Sequence, residues 1–188
     1  MSAGLLLSGC DSNGSGGGTL AVKLTDAPGD IVKAEVTIER VAAVRADNTG
    51  DGGATEGGIS VLSDSSVTVD LTRLQGGVTE LMGEVQLEPG TYSQIRLKTA
   101  REATVLYEDS TGEAVEADLR LPSANETGIK INFDPVELDS ENDRAEVTLD
   151  FSVEDSFVEG GTTGTYIFKP VVDAEAVVVN GDTTSTGS

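Results

Sequence analysis

Strict alternation of apolar and polar residues is the feature that most limits this chain, because a period of two suits strands and not helices. Leu20, Val22 and Leu24 alternate with Ala21, Lys23 and Thr25. Val32, Ala34, Val36 and Ile38 alternate with Lys33, Glu35, Thr37 and Glu39. The phase slips at Glu39-Arg40-Val41, which predicts a β-bulge. Further alternating runs are centred on Val69, Leu97, Ala117, Ile131 and Leu149. The stretch 166–179 is also β-rich, with Pro170 marking an edge position or a bend. Turn chemistry closes the runs, as in Ala27-Pro28-Gly29-Asp30, Glu88-Pro89-Gly90 and Asp139-Ser140-Glu141-Asn142. The one stretch with loose helical spacing, at Leu71, Leu74, Val78 and Leu81, is split by Gly76-Gly77 and predicts at most a short helical turn. The expectation is an all-β domain, a two-sheet β-sandwich of about eight to ten mostly antiparallel strands, with a closed barrel as the alternative.

Composition then removes most common chemistry. Twelve basic residues against 33 acidic ones give a net charge of −21. That balance argues against nucleic acid and against electrostatic docking on anionic lipid. With no histidine and a single cysteine, Ser-His-Asp and Cys-His catalysis, His-containing zinc sites and an intrachain disulfide are excluded. Only five of the twelve cations are lysines, and acidic excess with little lysine resembles the surface of a protein from a high-salt habitat.

The lone cysteine lies in Leu5-Leu6-Leu7-Ser8-Gly9-Cys10, an apolar run ending in small residues. Leu7-Ser8-Gly9-Cys10 resembles a bacterial lipobox, which predicts cleavage before Cys10 and a diacylglyceryl group on its thiol. The run is too short to span a bilayer. It also lacks a basic n-region, so the natural start is expected upstream. The expected layout is a truncated signal peptide at 1–9, a lipidated Cys10 with a Gly/Ser tether over 10–18, a sandwich over 19–179 and a disordered tail at 180–188. The segment 47–58 reads as an insertion between strands.

Asp26 and Asp30 flank Ala27-Pro28-Gly29 and, with Asp150 or Asp155 near in space, are the candidate Ca²⁺ ligands. An Asx-type turn in which the two aspartates bond local amides is the favoured reading. Asp47-Asn48-Thr49-Gly50-Asp51-Gly52 partly matches an EF-hand loop, but Gly58 stands where its bidentate glutamate belongs. Tyr92, Tyr107 and Tyr166 are expected to pack on the sheets.

Several stretches together carry a family resemblance. They are Leu24-Thr25-Asp26-Ala27-Pro28-Gly29-Asp30, Val69-Asp70-Leu71-Thr72-Arg73-Leu74 and Leu87-Glu88-Pro89-Gly90-Thr91-Tyr92, then Leu121-Pro122-Ser123 with Gly128-Ile129-Lys130-Ile131, Leu149-Asp150-Phe151 and Phe168-Lys169-Pro170-Val171. In that order, behind a lipobox, they resemble the uncharacterised prokaryotic lipoprotein family catalogued as domain of unknown function 4382. The resemblance implies a surface lipoprotein with an Ig-like or transthyretin-like sandwich, and brings no activity, ligand or catalytic residue.

Three functions compete. The first is a cell-envelope lipoprotein, anchored in the membrane and facing the exterior or periplasm, whose non-catalytic sandwich binds an envelope protein or glycan. The second is a structural subunit of a surface fibre or layer assembling by strand addition. The third is an extracellular hydrolase using paired carboxylates. Absence of tryptophan and only 4% aromatic residues leave little for sugar stacking and place the hydrolase last.

Overall fold

The computed structural model describes residues 17–26, 31–48, 58–108, 111–120, 128–159 and 166–185. In chain order the strands are β1 (Thr19–Thr25), β2 (Lys33–Arg45), β3 (Ile59–Ser63), β4 (Val67–Asp70), β5 (Glu80–Gln86), β6 (Gly90–Glu108) and β7 (Ala114–Arg120). There follow β8 (Ile129–Leu138), β9 (Arg144–Phe151), β10 (Phe157–Glu159), β11 (Tyr166–Phe168), β12 (Val172–Val179) and β13 (Asp182–Ser185). A four-residue helix, α1 (Val153–Ser156), and 3-10 turns at Ala46–Asn48 and Leu71–Leu74 complete the described elements.

The strands form two sheets, as the alternation predicts. The first has the order β13-β12-β9-β1-β5, all antiparallel except the parallel pair β1–β9. The second is organised by two long strands, the 13-residue β2 and the 19-residue β6. Each is long enough to take two partners on one flank: β4 then β3 along β2, and β8 then β7 along β6. This division, with the three-residue pair β10–β11, raises the count among the described residues to thirteen strands, above the expected eight to ten.

The inward set of each alternating run fills the space between the sheets. Leu20, Val22 and Leu24 of β1, Val147, Leu149 and Phe151 of β9, and Ile95 and Leu97 of β6 are all fully buried. Burial of a large apolar side chain contributes about 1.5–3 kcal/mol, so these rows set the register. The predicted bulge is present, where the β2–β6 register shifts between Ile38 and Arg40. The sheets close at one corner, where the backbone of Gly83 in β5 packs on Leu62 of β3; a Cβ there would stand 3.1 Å from Leu62 Cβ.

The Glu88-Pro89-Gly90-Thr91-Tyr92 stretch has a clear physical role. The buried Tyr92 donates its hydroxyl proton to Glu88 O at 2.9 Å, the pattern of a tyrosine corner. Arg45 lies 5.9 Å from the Tyr92 ring centroid and donates to Pro89 O. Gly90 has a φ of 155°, a backbone conformation that residues with a Cβ rarely adopt, which accounts for glycine there.

Two expected boundaries move. Gly17 and Gly18, assigned to the tether, are buried parts of the domain. Gly18 O accepts from Leu87 N at 2.9 Å and Gly17 O from Gln86 Nε2 at 3.2 Å. At the other terminus, where a disordered tail is expected from 180, Asn180-Gly181 turns the chain into β13. Both residues have positive φ, 51° and 91°, as a type I′ hairpin requires, and Asn-Gly supplies that conformation at least cost.

Candidate functional site

Asp26 follows the last residue of β1 and is only 3% exposed. Its Oδ1 accepts from the Val153 backbone N–H at 3.1 Å and its Oδ2 from Gln75 Nε2 at 3.2 Å. The carboxylate therefore ties together β1, the turn after β4 and the start of α1. Neighbouring Thr25 reinforces the joint, its Oγ1 lying 3.0 Å from both Leu74 O and Val78 O. Burial raises the pKa of Asp26 from 3.8 to about 6; the Gln75 and Val153 hydrogen bonds oppose the rise, and the Asp150 charge adds to it.

The expected neighbours of Asp26 separate in space. Asp150 lies beside it, across the β1–β9 pair that matches Thr25 with Asp150. Asp155 is engaged elsewhere, accepting from Ser152 Oγ at 2.9 Å in the cap of α1. The amides bonded by Asp26 are 49 and 127 residues away, not local ones as an Asx-type turn would have. Among the described residues no three carboxylates gather as a metal-holding group. Asp30, Cys10 and the segment 49–57 of the EF-hand-like stretch lie outside the described residues. Tyr92 and Tyr107 are buried in the core.

A second location was not signalled by any motif. Glu35 and Thr37 of β2, Thr68 of β4, Glu102 and Thr104 of β6 and Leu119 of β7 line a cleft of about 330 Å³ on the outer face of the second sheet. Its origin is a step in register: Val36 pairs with Ala103 and Ile38 with Thr99, so three β6 residues lie opposite Thr37 alone. The Thr37 and Thr68 hydroxyls are 2.8 Å apart, and Lys33 Nζ pairs with Glu35 at 3.0 Å. Hydroxyls and carboxylates so arranged are able to donate to and accept from polar hydroxyl groups. The step in β6 could have been suspected from Thr99-Ala100-Arg101-Glu102, where alternation lapses, but nothing local says which partner strand lies opposite.

Among the described residues no helix is long and apolar enough to cross a membrane. No curated protein matches the chain. The tyrosine corner around Pro89-Gly90, the β1 terminus at Thr25-Asp26 and the parallel β1–β9 pair all fall within one family match, to the Domain of unknown function (DUF4382) over residues 17–170, and the chain belongs to that family.

Proposed function

We propose that this protein is a cell-envelope lipoprotein, held through a diacylglyceryl group on Cys10, whose sandwich is a non-catalytic binding or adhesion module. The observation that carries the reading is the polarity of the domain. The chain enters at Gly17 and Gly18, against Leu87 and Asp143, at the N-terminal end of β1. The outer-face cleft is displaced toward the opposite end, where β2 begins and β6 finishes. Seven residues separate Cys10 from Gly17 and can span at most about 25 Å, so in this reading the entry end faces the anchor and the cleft faces away. Two acyl chains are needed for stable retention, because the acidic domain adds no attraction to anionic lipid. Expressed in its host with a complete signal peptide, the protein is expected to partition into detergent and to carry a lipid mass on Cys10. Cys10→Ser is expected to release it or to leave an unprocessed precursor; a variant that fractionates like the natural chain overturns the anchor.

Strand addition is disfavoured at the β5 and β7 edges. β5 carries Glu80 and Glu84 and is backed by β3, while β7 carries Glu116 and Asp118, and charge on an edge opposes pairing with another chain. Acidic excess supports a high-salt habitat: the Debye length falls from ~30 Å at 0.01 M to ~3 Å at 1 M, relieving self-repulsion. The melting temperature is expected to be higher in molar KCl than in dilute buffer, and a salt-insensitive one speaks against that habitat.

A further inference from the structure

A third of the basic residues of this acidic chain lie together. Arg40 of β2 stands directly opposite Lys98 of β6, and Arg96 of β6 directly opposite Lys130 of β8. All four project from the outer face of the second sheet, since the intervening Val41, Ile95, Leu97 and Ile131 are buried between the sheets. Four of the twelve basic residues thus form one band across three strands. Like charges placed directly opposite oppose pairing, by up to ~1 kcal/mol. A purely structural purpose, neutralising acidic neighbours, is visible only at Lys98, whose Nζ lies 3.2 Å from Glu39. Arg40 and Lys130 are exposed and make no ion pair among the described residues. Arg96 donates from Nε to Gln94 Oε1 at 3.1 Å, and its Nη2 is buried with no acceptor among the described residues. A donor so placed normally finds one.

We propose that this band docks an acidic polysaccharide whose carboxylates lie across β2, β6 and β8. The inference deepens the binding-module reading by naming its ligand class. Two observations select the ligand. The band is only about 10 Å wide, two strand spacings, within a chain of net charge −21. An extended anionic surface is repelled by the rest of the domain, whereas a thin flexible polymer meets the band alone. The cleft lies farther along the same face, where Thr37, Thr68 and Thr104 offer hydroxyls and Glu35 and Glu102 offer acceptors for ligand hydroxyl groups. A polymer bearing both carboxylates and hydroxyls matches the two features together, the anions on the band and the hydroxyls at the cleft.

The test uses the whole chain carrying Cys10→Ser, purified without lipid, with polygalacturonate as the probe. Binding is measured in EDTA, at the lowest salt at which circular dichroism reports a folded β domain, and again in 1 M KCl. Retention is expected on polygalacturonate, weaker in high salt, and absent on neutral dextran. Arg40→Ala with Lys130→Ala, both at exposed positions, is expected to weaken binding by about three- to tenfold. Lys23→Ala, on β1 of the first sheet and away from both the band and the cleft, is expected to leave it unchanged. Absence of binding by the folded chain, equal binding by the double variant, or tighter binding to phosphatidylglycerol vesicles than to polygalacturonate each overturns the proposal. Membrane retention through Cys10 is read separately in the host, so either reading can fail without the other.

Discussion

An aspartate guards each end of β1, and the two have opposite electrostatics. At the entry end Asp143 is half-buried in the turn before β9, where its Oδ2 accepts from the Ser140 N–H at 2.9 Å and the Asp139 N–H at 3.0 Å. Those amides hold its carboxyl below the usual range. At the far end Asp26 also accepts two hydrogen bonds, yet its pKa rises to about 6. Hydrogen bonding to amides favours the charged form in both; removal from water reverses the balance only at Asp26. The two ends are also built differently. Asp143 bonds amides three and four positions away, with the Asn180 side chain as its one distant partner here, whereas both partners of Asp26 are distant, 49 and 127 residues away. The entry end depends instead on close backbone contact, since a Cβ on Gly18 would stand 2.5 Å from Asp143 O.

The sharpest test of this contrast is Asp26→Ala. It strands the Val153 N–H and the Gln75 amide in a buried site, at a cost of about 2–4 kcal/mol. Thermal melts in molar KCl are expected to fall by about 5–15 °C. A shift under ~2 °C would mean that the far end is not held by this carboxylate.

Gly18→Ala probes the entry end. The obstructing atom is backbone and cannot swing aside, so a loss of about 1–3 kcal/mol is expected in denaturant titration. An unchanged midpoint would return Gly18 to the tether.

The pH dependence separates the two aspartates by sign. The folded pKa of Asp26 is raised, so its protonated form favours the native state. Its contribution is complete below the unfolded value of 3.8 and is lost as pH rises through about 6. Between pH 7 and pH 5 the natural chain should gain about 1–2 kcal/mol that Asp26→Asn does not gain. Parallel stability profiles for the two chains would remove the buried carboxylate from the account.

The smallest effect is expected at Asp143→Asn. The folded pKa of Asp143 is lowered, so its contribution is present above the unfolded value and disappears as pH falls through the folded one. The variant should melt slightly lower than the natural chain near neutral pH, and the gap should close in acid. A gap that widens in acid would invert the assigned sign.

Much of the architecture is legible in the residues themselves. Leu20, Val22 and Leu24 announce an inward row, Glu39-Arg40-Val41 announces a bulge, and Pro89-Gly90 announces a turn before a long strand. Asn180-Gly181 was equally legible as a hairpin turn, though a polar C-terminus without apolar residues resembles a tail. The candidate sites are another matter. Asp26 beside Pro28 and Gly29 has the local signature of a turn, and no feature within ten residues betrays Gln75 or Val153 as its partners.

The all-β class, the inward rows and the family can be read from the residues alone, because alternation and turn chemistry act over a few residues and burial of apolar area follows directly from them. Which strands become neighbours is settled by the fold. That choice placed Asp26 away from water under an amide 127 residues distant, and it gathered Arg40, Arg96, Lys98 and Lys130 onto one face of a strongly acidic chain. Charge counts add along a sequence irrespective of position, but fields and desolvation depend on distance, and distance between strands is set by the fold.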